Sequence, residues 1–492
     1  MKLRYLCDKD APLMLEWMQD KELVKDLHKN FELMNIDNCR AFIQTANYET
    51  ETDLHMAITD DNDEYMGTVS LKNIDKADRF AEFGIVTRRK VLGTGIAHDA
   101  MVDMLRKAYN ELGLDRVCWC VSPDNIRALR FYDKNNYRRI SIKDYPIIYN
   151  SLCNDGTYSQ ADIDNYIWYI DEAVDVSVYM MTYFHEKYVR QAIESVLSQK
   201  THYKFELVIS DDCSQDGTAG ILREYETKYP ELIRVNINEL NLGIPANIYK
   251  ARTMCRGRYI TNLSGDDYWI DDNKIETEAG FLDANPDYSA AACRIELRMD
   301  DNNTAYSLVP AENKMLNRPY TLADYEKCIP LGTHGLFMRN FFLTEEGRKY
   351  FAQAQKISEY VDDAVDEVLL LRKGPIYVLD LVSDVHRVVS SDIEHKNYNS
   401  RYSRVDKFRH HIELLNNMNE LWGDEIDFSG WYANYTATGI LSMILSRQFG
   451  AYKQIIDTIP VTYKKPFFRS IYIRWIPYAC ALVVGRTHRS RS

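Results

Sequence analysis

Two strand-like runs, each ending in adjacent aspartates, constrain this chain more than any other feature. Leu207-Val208-Ile209-Ser210 leads into Asp211-Asp212, and Tyr259-Ile260-Thr261-Asn262-Leu263-Ser264 leads through Gly265 into Asp266-Asp267. Short apolar runs bounded by turn residues suit strands buried in a parallel sheet. Another such run, Val176–Met181, and a helix from about Glu186 to Gln199 precede the first pair. Strand, helix and strand at this spacing predict a βαβ unit. Open α/β sheets bind ligands in the crevice at the carboxyl ends of their strands. Aspartates crowded there are costly unless cations or ligand donors answer them. A structural turn explains one such pair; it explains two, both at strand ends, much less well.

A chain of 492 residues is too long for one ordinary core, so two or three domains are expected. Three textures are visible. Residues 1–170 read as a mixed α/β unit, 174–391 as alternating strands and helices, and 392–492 as a mostly helical extension. In the first unit, helices are predicted at Asp10–His28 and Ile96–Leu112, and strands at Leu54–Thr59, Glu64–Leu71, Ala81–Val86 and Arg116–Val121. Asn154-Asp155-Gly156-Thr157 has turn chemistry and predicts a hairpin loop between strands Arg138–Tyr149 and Ile163–Ile170. The net charge of −13 argues against a nucleic-acid binder, which a phosphate backbone would repel. Ten cysteines show no metal-ligand spacing; Cys118 and Cys120 alternate with Trp119 as packing residues would. The N-terminus lacks an apolar signal region, and no window reaches the roughly 20 apolar residues that span a bilayer. A cytoplasmic protein is expected.

In the first unit, Arg88-Arg89-Lys90-Val91-Leu92-Gly93-Thr94-Gly95-Ile96-Ala97 follows a strand and opens a helix. Glycines there let backbone N–H groups approach an anion at the positive end of the helix. Alone, such a loop is as often a tight turn. A second motif stands downstream: Asn125-Ile126-Arg127-Ala128-Leu129-Arg130-Phe131-Tyr132. Together the two resemble the GNAT superfamily of N-acetyltransferases over residues 1–170. The resemblance implies that Lys90, Gly93, Gly95 and Ala97 cradle the pyrophosphate of acetyl-CoA and that Asn125 contacts its pantetheine arm. Lys90 stands where the family more usually has Arg or Gln. It also implies that Tyr132 is the acid that protonates the leaving thiolate; the alternative is a core aromatic. Glu82 is either the general base or an exposed strand carboxylate.

The central pattern resembles the inverting family 2 glycosyltransferases with a GT-A, Rossmann-like nucleotide-sugar domain. The resemblance runs from about Val174 to Val389. It implies a UDP- or dTDP-sugar donor, with Thr182 and Tyr183 flanking the base and Asp212 reading its edge; Phe184 replaces a common Asn. Asn241-Leu242-Gly243 is similar to the family's loop near the donor. Hard carboxylate oxygens suit Mg²⁺ or Mn²⁺, which bind through one or two carboxylates plus substrate phosphates. By resemblance, Asp267 is the direct metal ligand, Asp266 contacts ribose or metal, and Ser264 replaces a frequent third Asp. Asp363, with Asp362 as alternate, corresponds to the base, unless helix N-cap chemistry alone explains it. His386-Arg387, placed after a strand Ile376–Leu379, corresponds to a station near the diphosphate. There His386 is a metal ligand or part of a buried structural pair. The stretch 332–339 sits where relatives form the acceptor wall.

From Tyr463 to Ser492 there are seven Lys/Arg and no acid, interleaved with aromatic residues. Such a tail could lie on an anionic membrane surface, where a lipid-linked acceptor is found, or pack on the protein's own acidic face. The expectation is therefore a bifunctional α/β enzyme of surface glycan assembly. It would transfer a sugar to a glycan or lipid-linked glycan acceptor and acetylate an amine, such as that of an amino sugar. The alternative keeps the glycosyltransferase alone active, with the N-terminal unit as a scaffold or binding module.

Overall fold

The computed structural model describes residues 1–27, 31–135, 137–156, 158–299, 304–310, 315–331, 335–344, 347, 349–350, 353–354, 357–358, 363–388, 402–446 and 448–463. The basic tail and Asp362 lie outside the described residues, as does the side chain of Asp363. The chain divides into two compact units, Met1–Ala173 and Val174–Ser492. No described helix is long and apolar enough to cross a membrane.

The first unit is a seven-stranded sheet in the order Lys2–Tyr5, Leu54–Thr59, Tyr65–Asp75, Phe80–Thr87, Arg116–Val121, Ile167–Glu172, Arg138–Ile140. Every pair is antiparallel except Phe80–Thr87 with Arg116–Val121. That parallel pair stays in register only from Phe80/Arg116 to Glu82/Cys118, so the strands part beyond Glu82. The helix Ile96–Asn110 buries Ala100, Met101, Met104, Leu105 and Ala108, a spacing that puts one apolar face on the sheet.

The two late strands pair antiparallel, from Arg138/Ile170 to Ile140/Trp168, but no hairpin loop joins them. The segment after Arg138–Ile140 turns into the helix Pro146–Asp155, ended by Gly156 at φ 75°, and the strand Ile167–Glu172 begins only after a further short helix. Asn, Asp and Gly serve a helix C-terminus as readily as a hairpin turn.

The second unit holds a ten-stranded sheet. Its main path runs Ile233–Ile237, Phe205–Asp211, Val176–Thr182, Tyr259–Ser264, Leu336–Arg339, Ala290–Met299, Ile376–Val388, Tyr268–Trp269. The first four strands are parallel, and Leu336–Arg339 runs antiparallel to both neighbours. Both faces are covered, so the central strands carry apolar residues on both faces. Val176, Val178 and Met180 face one core with Val189, Ile193 and Val196, whereas Tyr179 faces the other. That other core includes Val405, Phe408, Ile412 and Met418 of the helix Arg404–Trp422, Tyr432 of Ser429–Ser446 and Tyr452 of Phe449–Asp457. The C-terminal helices thus cover one face of the sheet.

Candidate functional site

The parallel strands deliver their aspartates to one end of the sheet, where the two pairs do different things. Asp211 is fully buried. Its Oδ1 accepts hydrogen bonds from Thr182 Oγ1 at 2.8 Å and Ser214 Oγ at 2.6 Å, and its Oδ2 accepts one from Ser214 N at 2.9 Å. Thr182 is likewise buried, joining two strand ends. Asp212 accepts from Leu242 N at 2.7 Å and Gly243 N at 2.9 Å, with Asn238 Nδ2 at 3.3 Å. Its carboxylate holds the Asn241-Leu242-Gly243 loop in place. Tyr183 is exposed, edge-on to Phe184 at 4.6 Å.

The second pair sits on a turn that only glycine fits. A Cβ on Gly265 would stand 2.6 Å from Thr182 Cγ2 and 2.7 Å from His185 Nδ1. Asp266 Oδ1 accepts from Ser264 Oγ, and His185 Nε2 lies 3.8 Å away. Asp267 Oδ2 is 3.0 Å from His386 Nδ1, and its Oδ1 accepts from Arg387 N at 2.8 Å. The Arg387 guanidinium donates to Asp266 O at 2.6 Å and lies over the Tyr188 and Tyr268 rings. His386 and Arg387 fall inside a strand rather than after one. Ile376–Val388 is thirteen residues long and runs beside Ala290–Met299. It carries His386 to Asp267.

Burial pushes the Asp266 carboxyl up, but His185, the Ser264 hydroxyl and His386 together hold it below the ordinary range. Asp267 is raised, first by burial and then by the charge of Asp266, against the pull of His386. The Asp267 hydrogen bond in turn raises His386, against burial. Among the described residues, no three His, Cys, Asp or Glu side chains converge to hold an ion unaided. Asp267 and His386 could offer a divalent cation two ligands, with ligand phosphates supplying others.

A cleft of about 720 Å³ is lined by Ser264, Asp267, Asp384 and His386. Ala364, Asp366 and Glu367 of the helix Asp363–Leu371 line it too, so Asp363 stands one residue before a cleft residue. Asp366 forms a buried, hydrogen-bonded pair with Arg252, whose guanidinium also donates to Tyr179 OH. Asp384 is paired with the fully buried Lys274 at 3.0 Å. Arg252, Asp366, Asp384 and His185 had no assigned role from sequence. Asp384 could have been found: it stands two residues before His386, on the same face of a strand.

In the first unit, Gly93 and Gly95 take φ of 78° and 88°, a backbone that side chains rarely adopt. No atom lies within 4 Å of where a Cβ would stand on either, so the loop presents an open surface at the start of the helix that contains Ala97. Lys90 Nζ donates to Glu64 Oε1 at 2.6 Å, a partner it shares with Arg88. Asn125 Oδ1 accepts from Ala128 N at 3.1 Å and caps the helix Ile126–Lys134. Tyr132, on that helix, is buried with its ring 5.3 Å from Trp119 and 5.1 Å from Tyr169. Burial pushes its hydroxyl well above the usual range, so it keeps its proton. Glu82 is not an exposed strand carboxylate. It is 2% exposed and accepts from Tyr158 OH at 2.6 Å and Lys72 Nζ at 2.7 Å, at the point where the parallel strands part.

Residues 177–347 match the family model for Glycosyl transferase family 2, and residues 1–138 match that for the Acetyltransferase (GNAT) domain. An uncharacterized protein of Mycobacterium tuberculosis is 35% identical over 112 residues, 23% of this chain and 32% of that protein. The putative teichuronic acid biosynthesis glycosyltransferase TuaG of Bacillus subtilis is 40% identical over 107 residues, 22% of this chain and 41% of that protein. A crystal structure of S. aureus TarS in complex with UDP-GlcNAc matches with a TM-score of 0.35 and 17% identity, over 58% of this chain and 91% of that one. The chain spans about a third of the length of the first and two-fifths of the second curated relative. It carries a GNAT acetyltransferase domain followed by a family 2 glycosyltransferase domain, and both are domains of transferases.

Proposed function

We propose that this chain is a bifunctional enzyme of surface polysaccharide or glycoconjugate assembly. Its second unit would transfer a sugar, with inversion and with a divalent metal, from a UDP- or dTDP-sugar to a glycan or lipid-linked glycan acceptor. Its first unit would transfer acetyl from acetyl-CoA to an amine, such as that of an amino sugar. The work would be done in the cytoplasm, at the inner face of the membrane if the basic tail binds anionic lipid. The observation that carries the glycosyltransferase reading is the Asp266-Asp267 turn, joined to His386 and Arg387 at a cleft.

In this reading Asp212 holds the Asn241-Leu242-Gly243 loop against the donor, with Thr182 and Tyr183 beside the base. Mg²⁺ or Mn²⁺, held by Asp267 and His386 with Asp266 alongside, would neutralise the departing diphosphate. Arg387 supplies a fixed positive charge in the same place. Asp363 takes the proton of the acceptor hydroxyl as that oxygen attacks the anomeric carbon from the face opposite the leaving diphosphate. A single displacement inverts the configuration there. In the first unit, Gly93, Gly95 and Ala97 offer backbone to the pyrophosphate of acetyl-CoA, Lys90 adds charge, and Asn125 stands by the pantetheine arm. Tyr132 would give its proton to the leaving thiolate, although the burial that keeps the hydroxyl protonated also makes it a weaker acid.

The enclosure of Tyr132 by Trp119 and Tyr169 favours a second reading, in which the first unit is a scaffold and only the glycosyltransferase turns over. The test is to assay nucleoside diphosphate release from a panel of UDP- and dTDP-sugars with Mn²⁺, and CoA release from acetyl-CoA with amino-sugar acceptors. Asp363→Asn should abolish only the first activity and Tyr132→Phe only the second. Absence of CoA release from the wild type with every amine would favour the scaffold. Absence of nucleotide release with every donor would overturn the main reading.

A further inference from the structure

We propose that Lys274 is a positioning residue of the second unit: it pins a one-residue bulge at Ser383, and that bulge fixes the register in which His386 meets Asp267. The pin itself stands on geometry, and its bearing on donor binding rests on the glycosyltransferase reading.

The strand Ile376–Val388 does not keep one register against Ala290–Met299. Arg294 lies opposite Val382 and Ile295 opposite Asp384, so one step along the first strand matches two along the second, and Ser383 is left out of the pairing. From Asp384 onward the ladder is regular, with Leu297 opposite His386 and Arg298 opposite Arg387. A bulge of this kind re-aims the side chains that follow it. If Ser383 joined the ladder, every later residue would move by one, and Val385 would stand opposite Leu297. A slip of one residue turns each side chain to the other face of the sheet. His386 would then leave Asp267, which it now meets at 3.0 Å.

Lys274 holds the bulge closed. It is the first residue of the helix Lys274–Ala284 and is fully buried. Its Nζ donates to Ser383 Oγ at 3.2 Å and to Asp384 Oδ2 at 3.0 Å, that is, to the left-out residue and to the one that resumes the ladder. Ser383 Oγ donates to the same carboxylate, and the Ser383 carbonyl accepts from Ile270 N at 2.9 Å. Gly335 leaves room for that carboxylate: a Cβ there would stand 3.3 Å from Asp384 Oδ2.

Local chemistry does not favour a lysine at this point. A cation at a helix N-terminus opposes the helix dipole, and a buried ammonium is costly. Asp384 and Glu278, whose Oε2 lies 3.0 Å from Nζ, keep it charged against burial. Well-packed apolar residues in place of a buried ion pair are often as stabilising. An apolar side chain, however, has no preference for Ser383 Oγ and Asp384 over their neighbours, so it cannot select one register. Fixing register is the best-attested use of buried polar and ionic groups.

The test is hydrogen exchange at the Arg387 amide, which donates to Asp267 Oδ1 at 2.8 Å, together with thermal shift of the full chain with UDP or dTDP and Mn²⁺. Lys274→Met should lower Tm and speed exchange at Arg387 by about tenfold or more. The Leu242 and Gly243 amides, bonded to Asp212, report on the rest of the sheet end and should stay as protected as in the wild type. The gain in Tm from nucleotide with Mn²⁺ should be lost. Ser383→Ala keeps every charge and is nearly isosteric, so it tests the pin in a protein that folds; exchange at Arg387 should rise by about threefold. A Lys274→Met variant that loses Tm but keeps wild-type protection at Arg387 would make Lys274 a core charge only and overturn the proposal. Unchanged exchange in Ser383→Ala would also overturn it, as would a full response of Lys274→Met to a nucleotide with Mn²⁺ that stabilises the wild type. Faster exchange at Arg387 in both variants of a protein that no nucleotide stabilises would support the pin and overturn the glycosyltransferase reading instead.

Discussion

Asp267 Oδ2 lies 3.0 Å from His386 Nδ1, which ties the turn after one strand of the sheet to another strand more than a hundred residues later. Asp266, next in the chain, faces His185 and Ser264 instead. Two adjacent carboxylates thus have separate partners, and one of them is left with a raised affinity for protons. That asymmetry is what a shared cation would relieve.

The first aspartate pair makes a different prediction. Asp212 accepts from the amides of Leu242 and Gly243, so Asp212→Ala should release that loop. We expect faster hydrogen exchange at those two amides, a loss on the order of 1–3 kcal/mol in stability, and weaker donor binding. Loss of donor binding with unchanged exchange would mean that Asp212 touches the nucleotide directly.

Arg252 and Asp366 form a buried ion pair behind the cleft. Asp366→Ala leaves the Arg252 guanidinium without its carboxylate and should cost about 3–5 kcal/mol, read as a fall in Tm. The double change Arg252→Met with Asp366→Leu should restore most of that stability. Turnover should stay low in the double variant, because the pair anchors the helix that begins at Asp363.

Glu206 sets an acid limb. Burial alone would raise its carboxyl, but Arg256 and Arg234, with the Ser177 hydroxyl, bring it down to about 2 from an ordinary 4.5. A depressed carboxyl contributes stability that is full above the unfolded value and is lost as pH falls through the folded one. Between pH 4.5 and about 2 the protein should therefore lose on the order of 3 kcal/mol from this residue. Unfolding of Glu206→Gln, followed by urea titration across that range, should show a correspondingly flatter acid limb.

Gly95→Ala should separate the two domains' chemistries. A Cβ meets no atom there, but φ of 88° strains any side chain, at about 1–2 kcal/mol. CoA release should fall while nucleotide release is untouched, as measured in the same preparation.

Much of this was legible in the sequence. Val176–Met181 and the runs before each aspartate pair place apolar residues on both faces because a parallel sheet covered on both faces demands it. The strand Ile376–Val388 reads too short because Asp380, Ser383 and Asp384 interrupt its apolar run. Lys274, from a distant helix, satisfies Ser383 and Asp384 and lets the strand continue. The aromatic lining of the cleft is illegible for a related reason. Tyr325, His411 and Trp431 come from three separate helices, and no local spacing records that they meet. Gly265 reads as a turn residue, yet the structure requires glycine there for space rather than for φ.

Donor binding is measured most directly by thermal denaturation of the full chain with UDP, dTDP or GDP, each with and without Mn²⁺, alongside Asp267→Asn. At least one nucleoside diphosphate should stabilise the wild type, by about 2.7 kcal/mol at a hundredfold excess over Kd, and only when Mn²⁺ is present. Asp267→Asn should not respond. A wild type that no nucleoside diphosphate stabilises with Mn²⁺, or an Asp267→Asn variant that responds as well as the wild type, would contradict a metal-dependent nucleotide-sugar site at Asp267.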